Sequence, residues 1–312
     1  MRSAELDYDL PPELIAQRPA DRRDGSRLLV FDRTTGAVRH RLFADLPGEL
    51  GEALVVINDT KVVPARLHLQ RETGGQAEVL LLEPLGKGVW EALARPSRRL
   101  RPGERLGPVE LLESLGDGRW RVHVEGEPKG ELPLPPYIHE PLADAARYQT
   151  VYAADPGSAA APTAGLHFTP ELLTRLDVER VTLHVGLDTF RPLAVDELQE
   201  HELHGERFRV SADSWARIDA AERVLAVGTT TVRVLETIAR DGELDGRTSL
   251  FILPGFDFRR VDALLTNFHL PRSTLLALVM AFAGVDAIRD LYQLAIKEEY
   301  RFYSFGDAML IL

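Results

Sequence analysis

Over residues 65–125 apolar and polar positions alternate in short runs, at 65–70, 76–83, 89–94, 109–115 and 119–125. Gly74-Gly75, Gly86-Lys87-Gly88 and Gly116-Asp117-Gly118 stand between them. In the last run Trp120, Val122 and Val124 share one face of an extended chain, while Arg119, Arg121 and His123 share the other. Successive side chains of a strand point to opposite sides, so this period of two, punctuated by glycine turns, predicts a small antiparallel, barrel-like all-β unit.

The flanks read differently. Apolar runs at 53–57, 178–185, 224–227, 249–253 and 262–266 predict buried strands. Helical patterns follow at 170–176, 212–222, 230–240, 274–282 and 286–297. Strands alternating with helices imply an α/β domain around a largely parallel sheet. The expected organisation is a discontinuous α/β domain made of residues 1–66 and 151–312, with a β-barrel domain inserted at 67–150. The proline-rich stretch 132–141 would be the return linker.

The chain has 312 residues, 45% hydrophobic and 27% charged, enough for two cores. Its mean hydropathy is −0.13. The longest apolar run, 275–285, is too short to span a bilayer, and the charged N-terminus shows no signal-peptide core. No cysteine occurs, which excludes disulfides, thiolate metal sites and cysteine nucleophiles. A cytoplasmic location, a monomer and no membrane association are expected.

A net charge of −11 does not suggest a nucleic-acid binder. An RNA-handling protein with this balance must concentrate its basic residues in one place. Arg95, Arg98, Arg99, Arg101 and Arg105 do fall in one stretch, with no acidic residue before Glu104. All but four of the 37 basic residues are arginine, the exceptions being Lys61, Lys87, Lys129 and Lys297. The overall bias fits a GC-rich genome, whereas the local cluster suits phosphate recognition.

In open α/β sheets ligands bind beyond the carboxyl ends of the strands. Four such ends carry unusual residues: Asn58-Asp59-Thr60-Lys61, Gly186 after His184-Val185, Gly228-Thr229-Thr230-Thr231 with Arg233, and Asn267-Phe268-His269. Gly228 to Thr231 reads as a glycine turn into a hydroxyl-rich helix start, whose free N–H groups can hold a carboxylate or phosphate. An ordinary threonine cap is the commoner occurrence. Thr169, Pro170 and Glu171 form a readable helix start, which leaves His167 in the loop ahead of it. There it could meet a ligand or bond local backbone. His184 falls inside a strand, where core packing is the ordinary role. The closing aromatics at 300–309 suit base stacking or a final strand of the sheet.

His201-Glu202-Leu203-His204 has the wrong spacing for a zinc-protease helix, which needs histidines four apart. No Walker A loop and no G-x-G-x-x-G fingerprint is present, so no metal site or dinucleotide site is expected.

Taken together, several ordered motifs resemble the S-adenosylmethionine:tRNA ribosyltransferase-isomerase family nearly from end to end. They include Asn58-Asp59-Thr60-Lys61-Val62-Val63-Pro64-Ala65-Arg66-Leu67 and Leu134-Pro135-Pro136-Tyr137-Ile138. Ala161-Pro162-Thr163-Ala164-Gly165-Leu166-His167-Phe168 and His184-Val185-Gly186-Leu187 follow. Val227-Gly228-Thr229-Thr230, Thr266-Asn267-Phe268-His269-Leu270-Pro271 and Gly306-Asp307-Ala308-Met309 complete the set. Asp188, Gly205, Thr231 and Phe305 depart from the family's pattern.

The resemblance implies an α/β domain with a β-barrel and no cofactor beyond S-adenosylmethionine as ribosyl donor. The partner would be tRNA carrying 7-aminomethyl-7-deazaguanine at the wobble position. The ribosyl part is transferred and isomerised, giving epoxyqueuosine with release of adenine and methionine. It also implies catalytic roles among His167, His269, His184, Asp307 and Asp59, with the first two favoured for proton transfer and Asp307 for the acceptor amine. Thr229, Thr230 and Arg233 would hold the methionine carboxylate. Asn58, Thr60, Thr163, Gly165, Phe168, Gly186, Gly228, Asn267 and Phe305 would line the substrate, and the Arg95 to Arg105 cluster would grip tRNA. Two other classes fit the residues alone: a non-catalytic RNA-binding protein, and a nucleoside hydrolase or transferase that needs no RNA.

Overall fold

The computed structural model describes residues 2–186, 196–198 and 205–312. The main sheet has nine strands in the order Asp245–Thr248, Glu206–Arg209, Val178–Leu183, Leu54–Asn58, Val224–Val227, Ala263–Asn267, Ala308–Ile311, Arg27–Phe31 and Val38–Leu42. The four from Val178–Leu183 to Ala263–Asn267 run parallel to one another. Their apolar runs are continuous because both faces are covered. Leu54 and Val56 enter one core with Ala226 and Leu264, while Val55 and Ile57 enter a second with Leu225 and Leu265.

The sheet is mixed rather than largely parallel, which corrects the sequence expectation. Arg27–Phe31 and Val38–Leu42 are joined by a connection too short for a parallel crossover, so they pair antiparallel. Glu206–Arg209 is antiparallel to both neighbours. The C-terminal strand Ala308–Ile311 does not close an edge. It lies between Ala263–Asn267, antiparallel, and Arg27–Phe31, parallel. A second correction concerns 249–253, where no strand forms. The edge strand is Asp245–Thr248, and beyond it the carbonyls of Thr248 and Leu250 accept from the Arg233 guanidinium instead of a ladder. The strands Arg27–Phe31 and Val38–Leu42 carried no signal that the sequence analysis used.

The helices Pro170–Leu173, Ala212–Ala220, Thr229–Asp241, Thr274–Ala283 and Val285–Lys297 lie where the periodicity put them. Three begin on a hydroxyl that accepts a first-turn N–H: Thr169 from Leu172 at 3.1 Å, Ser211 from Ser214 at 3.0 Å, and Ser273 from Leu276 at 3.2 Å. None of the helices among the described residues is long and apolar enough to cross a membrane.

The second sheet is antiparallel with six strands, in the order Arg66–Gln70, Gln76–Gly86, Val89–Arg95, Arg119–Val124, Val109–Gly116 and Arg105–Leu106. Trp120, Val122 and Val124 point into its core, as the alternation required. The barrel is nearly closed. Its first and last strands share no ladder, and the gap is spanned by Leu69 against Gly107 and by Arg71 paired with Glu104 at 2.6 Å. Its strands form no ladder with the main sheet among the described residues, and Arg66 bridges antiparallel to Glu131 on the chain leaving the barrel. Glu83 on this sheet meets Arg247 on the main sheet's edge strand at 2.6 and 2.7 Å.

Candidate functional site

The carboxyl ends of the four parallel strands converge; two adjoining cavities open along them and a third opens on the far side of His167. A cleft between the two sheets is lined by His184, Gly186, Glu206, Arg233, Arg119 and Arg247. A strand-end pocket is lined by Thr163, Gly228, Thr229, Thr230, Asn267 and His269, with Tyr137, Tyr303 and Ser304. A third, smaller pocket contains His167, Ser26, Phe305, Arg23 and Arg147. Leu275 borders the first two, and Ser304 borders the second and third.

Asn58 ends its strand fully buried and acts as a clamp. Its Oδ1 accepts from the N–H of Leu183 at 3.0 Å and of Thr60 at 3.2 Å. Its Nδ2 donates to the Leu183 carbonyl at 3.0 Å and to Thr230 Oγ1 at 3.4 Å. With both amide atoms engaged, Asn58 orients its neighbours and offers nothing further to a ligand. Thr60, also buried, meets His184 Nδ1 at 2.9 Å. His184 lies one residue past its strand rather than inside it, and its ring packs on Gly157, where a Cβ would come within 2.9 Å of Cε1. Desolvation holds the His184 ring below the usual histidine range.

His167 is the last residue of a 3₁₀ turn, Thr163–His167. Its Nδ1 lies 2.7 Å from Ser26 Oγ, and its Nε2 lies 3.2 Å from Asn267 Nδ2. Asn267 Oδ1 accepts from Thr163 Oγ1 at 3.0 Å, which orients the amide so that Nδ2 donates to the histidine. Nε2 is then the acceptor and Nδ1 carries the proton toward Ser26. Burial, followed by the charges of Arg301 and Arg23, pushes the His167 pKa down to about 3. The ring is neutral at neutral pH.

His269 is held by Thr266 Oγ1, 2.7 Å from its Nε2, and by Tyr8, whose hydroxyl donates to the His269 carbonyl. Burial alone pushes its pKa down to about 3. Its Nδ1 has no hydrogen-bond partner among the described residues. Beside it, Tyr303 sits at φ 70°, a strained conformation for a non-glycine residue of the kind that recurs at functional sites.

The helix Thr229–Asp241 starts at Gly228, which caps it without a side chain. Its first-turn N–H groups have no partner within the helix and face the strand-end pocket.

Several expected site residues are elsewhere. Arg233 does not join Thr229 and Thr230. Its guanidinium is buried against Glu206 and the carbonyls of Leu250 and Thr248, 3.1 and 3.0 Å away. Glu206 also accepts from the Gly186 N–H at 2.9 Å. Phe168 is fully buried, edge-on to Phe43 at 5.0 Å, and belongs to the core. Gly165 is walled in by Tyr152, whose hydroxyl a Cβ would overlap. Asp59 accepts from Thr182 at 2.7 Å, and burial raises its pKa. Asp307 accepts from the backbone N–H of Arg27 and Arg301, each at 2.8 Å, and burial again raises its pKa. Neither carboxylate lines the three cavities.

Arg95, Arg98, Arg99, Arg101 and Arg105 are all exposed on the barrel. Arg105 pairs with Glu110 at 3.3 Å and Glu125 at 3.4 Å. The turn Ser97–Arg99 packs beside Gly118, next to Asp117 at the cleft. Asp188 and His201-Glu202-Leu203-His204 lie outside the described residues. Sequence reasoning missed Ser26, Glu206, Tyr303 and Ser304. Tyr303 and Ser304 stood within the closing aromatic stretch, but Ser26 and Glu206 carried no local signal.

A family model described as queuosine biosynthesis protein matches residues 3–311. A protein of Rubrobacter xylanophilus named S-adenosylmethionine:tRNA ribosyltransferase-isomerase is 54% identical, covering 100% of this chain and 98% of that protein. One of the same name from Symbiobacterium thermophilum is 52% identical, with 100% of both chains covered. The crystal structure of the S-adenosylmethionine tRNA ribosyltransferase of Thermotoga maritima superposes with a TM-score of 0.59 at 38% identity, covering 99% of this chain and 100% of that one.

Proposed function

The chain belongs to the queuosine biosynthesis family of S-adenosylmethionine:tRNA ribosyltransferase-isomerases, and on that premise we propose that the strand-end pocket is where it binds S-adenosylmethionine and moves its ribosyl group onto 7-aminomethyl-7-deazaguanine in tRNA. The observation that carries this assignment is the pairing, in one pocket, of a helix start with no side-chain cap, at Gly228, with the buried neutral imidazole of His269. N–H groups at a helix start suit the methionine carboxylate. They take it without Arg233, whose charge is matched by Glu206.

The adjacent sulfonium acidifies the 5′ hydrogens of the ribosyl group, so a base is needed there, and the acceptor amine must also lose a proton. Among the site histidines, His269 Nδ1 in the pocket and His184 Nε2 in the cleft are left without a hydrogen-bond partner among the described residues, and both rings are neutral; either can serve as base in the tautomer that donates to its threonine. His167, with both nitrogens engaged, is assigned to positioning Asn267 and Thr163. Asp307 and Asp59 are assigned to holding backbone and strand.

The exposed arginines on the barrel flank the cleft through which the anticodon loop would enter, and an acidic chain needs such a local concentration to hold RNA. Residues 67–150 are taken as the inserted RNA-facing domain, and residues 1–66 with 151–312 as the catalytic one. The protein is proposed to act on tRNA as a monomer in the cytoplasm.

The test is adenine release from S-adenosylmethionine, with and without an anticodon stem-loop carrying 7-aminomethyl-7-deazaguanine, with the RNA mass followed in parallel. Release that requires the modified RNA and matches its mass gain is expected. Release without RNA would replace this reading by a nucleoside hydrolase.

A further inference from the structure

Behind His167, on the side away from Asn267, the third pocket gathers positive charge that the chemistry above does not use. Arg23 donates to the carbonyls of Leu166 at 2.9 Å and Ala146 at 2.8 Å. Arg147 donates to those of Asp21 at 3.2 Å and Ala20 at 2.6 Å. Arg301 lines not this pocket but an adjoining groove that shares Pro19 and Ala20 with it, and donates to the Phe305 carbonyl at 2.7 Å and to that of Arg18. Each guanidinium is therefore held in place by main-chain oxygens, which orient it without neutralising it. None of the three makes an ion pair among the described residues, and Arg147 Nε is buried with no hydrogen-bond partner.

The nearby carboxylates are otherwise occupied. Asp144, which acts on Arg23, is exposed and accepts from the Ala146 N–H at 2.9 Å. Asp307, which acts on Arg301, has both oxygens on backbone N–H groups. Burial, followed by the charge of Arg147, holds the Arg23 pKa below its ordinary value, and Arg301 and Arg23 both help keep His167 uncharged. Arg23 and Arg147 therefore face one pocket with His167 uncharged beside them, an arrangement that an incoming anion relieves.

We propose that Arg23 and Arg147, with Arg301 adding its charge from the adjoining groove, form a phosphate subsite that takes the RNA backbone next to the nucleotide being modified. Guanidinium forks match the two free oxygens of a phosphodiester. The position identifies the source of the phosphate. This pocket and the strand-end pocket share Ser304, so a base turned out of its stack into the latter leaves its backbone at the former. Enzymes that act on a base commonly extrude it in this way. The subsite is half-buried and rigidly held, unlike the exposed arginines on the barrel, and it fixes where along the strand the reaction occurs. This inference rests on the RNA reading above.

The test uses stem-loops in which single phosphates flanking the acceptor nucleotide are replaced, one at a time, by uncharged methylphosphonates. With the unaltered protein, one position should weaken RNA binding about tenfold. Repeated with Arg23→Gln, or with Arg147→Gln if the first variant melts early, the loss at that position should disappear, since the partner charge is already gone. Losses that stay additive, or no sensitive position, would overturn the subsite. Inorganic phosphate bound by the unaltered protein without any sensitive position would likewise overturn it, pointing to a free anion. The function itself is read separately, from adenine release with the unmodified-backbone stem-loop.

Discussion

The side chains of His167 and Asn267, 100 residues apart in sequence, meet at 3.2 Å and are the hinge between the strand-end pocket and the arginine pocket. Asn267 also binds Thr163 and donates to the Asp307 carbonyl at 3.4 Å. Removing it leaves three groups short of a partner, those of His167 and Asp307 buried and that of Thr163 half-buried. Asn267→Ala should lower stability by about 1–3 kcal/mol. It should also cut kcat for adenine release by about 10- to 100-fold, because small misplacements at a reacting centre are costly. Near-normal turnover would remove the hinge from the site.

The buried histidines make stability depend on pH. His167 and His269 have folded pKa values of about 3, below the value near 6.5 of an unfolded histidine. The unfolded chain therefore binds more protons between these limits. The two rings contribute fully above about pH 6.5, and the contribution is lost as pH falls toward 3. Urea midpoints at pH 5, 6 and 7.5 should rise with pH, and His269→Gln should flatten the slope. An unchanged slope would mean that His269 is not held neutral.

Gly165 has no room for a side chain because the Tyr152 hydroxyl occupies the space, and that hydroxyl is buried without a hydrogen-bond partner among the described residues. Gly165→Ala should destabilise by about 1–3 kcal/mol through overpacking. Tyr152→Phe alone should be near neutral, since no hydrogen bond is lost, and should recover part of the loss in the double variant. Purely additive melting shifts would refute the clash.

Arg233 offers a choice between two roles. If it serves Glu206, Arg233→Met should cost about 3–5 kcal/mol by leaving a buried carboxylate without its cation. A raised KM for S-adenosylmethionine with an unchanged unfolding midpoint would instead return Arg233 to the substrate.

The exposed arginines should act only on RNA. An Arg98/Arg99/Arg101 triple alanine variant should keep its melting temperature and lose RNA affinity, with a salt slope lower by about one per removed contact. An unchanged slope would sink the barrel as an RNA-binding surface.

The barrel was readable because alternation is local. Trp120, Val122 and Val124 reach its core whatever the rest of the chain does. The parallel strands were readable for the complementary reason, that burial on both faces leaves a continuous apolar run such as Leu54–Asn58. Sheet order was not, since Ala308–Ile311 carries no mark that it lies between two strands distant in sequence.

The site divides in the same way. Asn58, Thr163, His184, Gly228, Asn267 and His269 could be picked out because polar residues at strand ends face the open side of a sheet, and family motifs named them. Their roles depend on partners that sequence spacing does not encode. Glu206 engages Arg233, backbone amides engage both oxygens of Asp307, and Ser26 with Asn267 decides which nitrogen of His167 holds its proton. The sequence by itself determined the elements and the cast of polar residues, because periodicity and turn chemistry act over a few neighbours. Only the tertiary structure decided which of those residues are free to react, because burial and hydrogen-bond partners come from chain segments far apart.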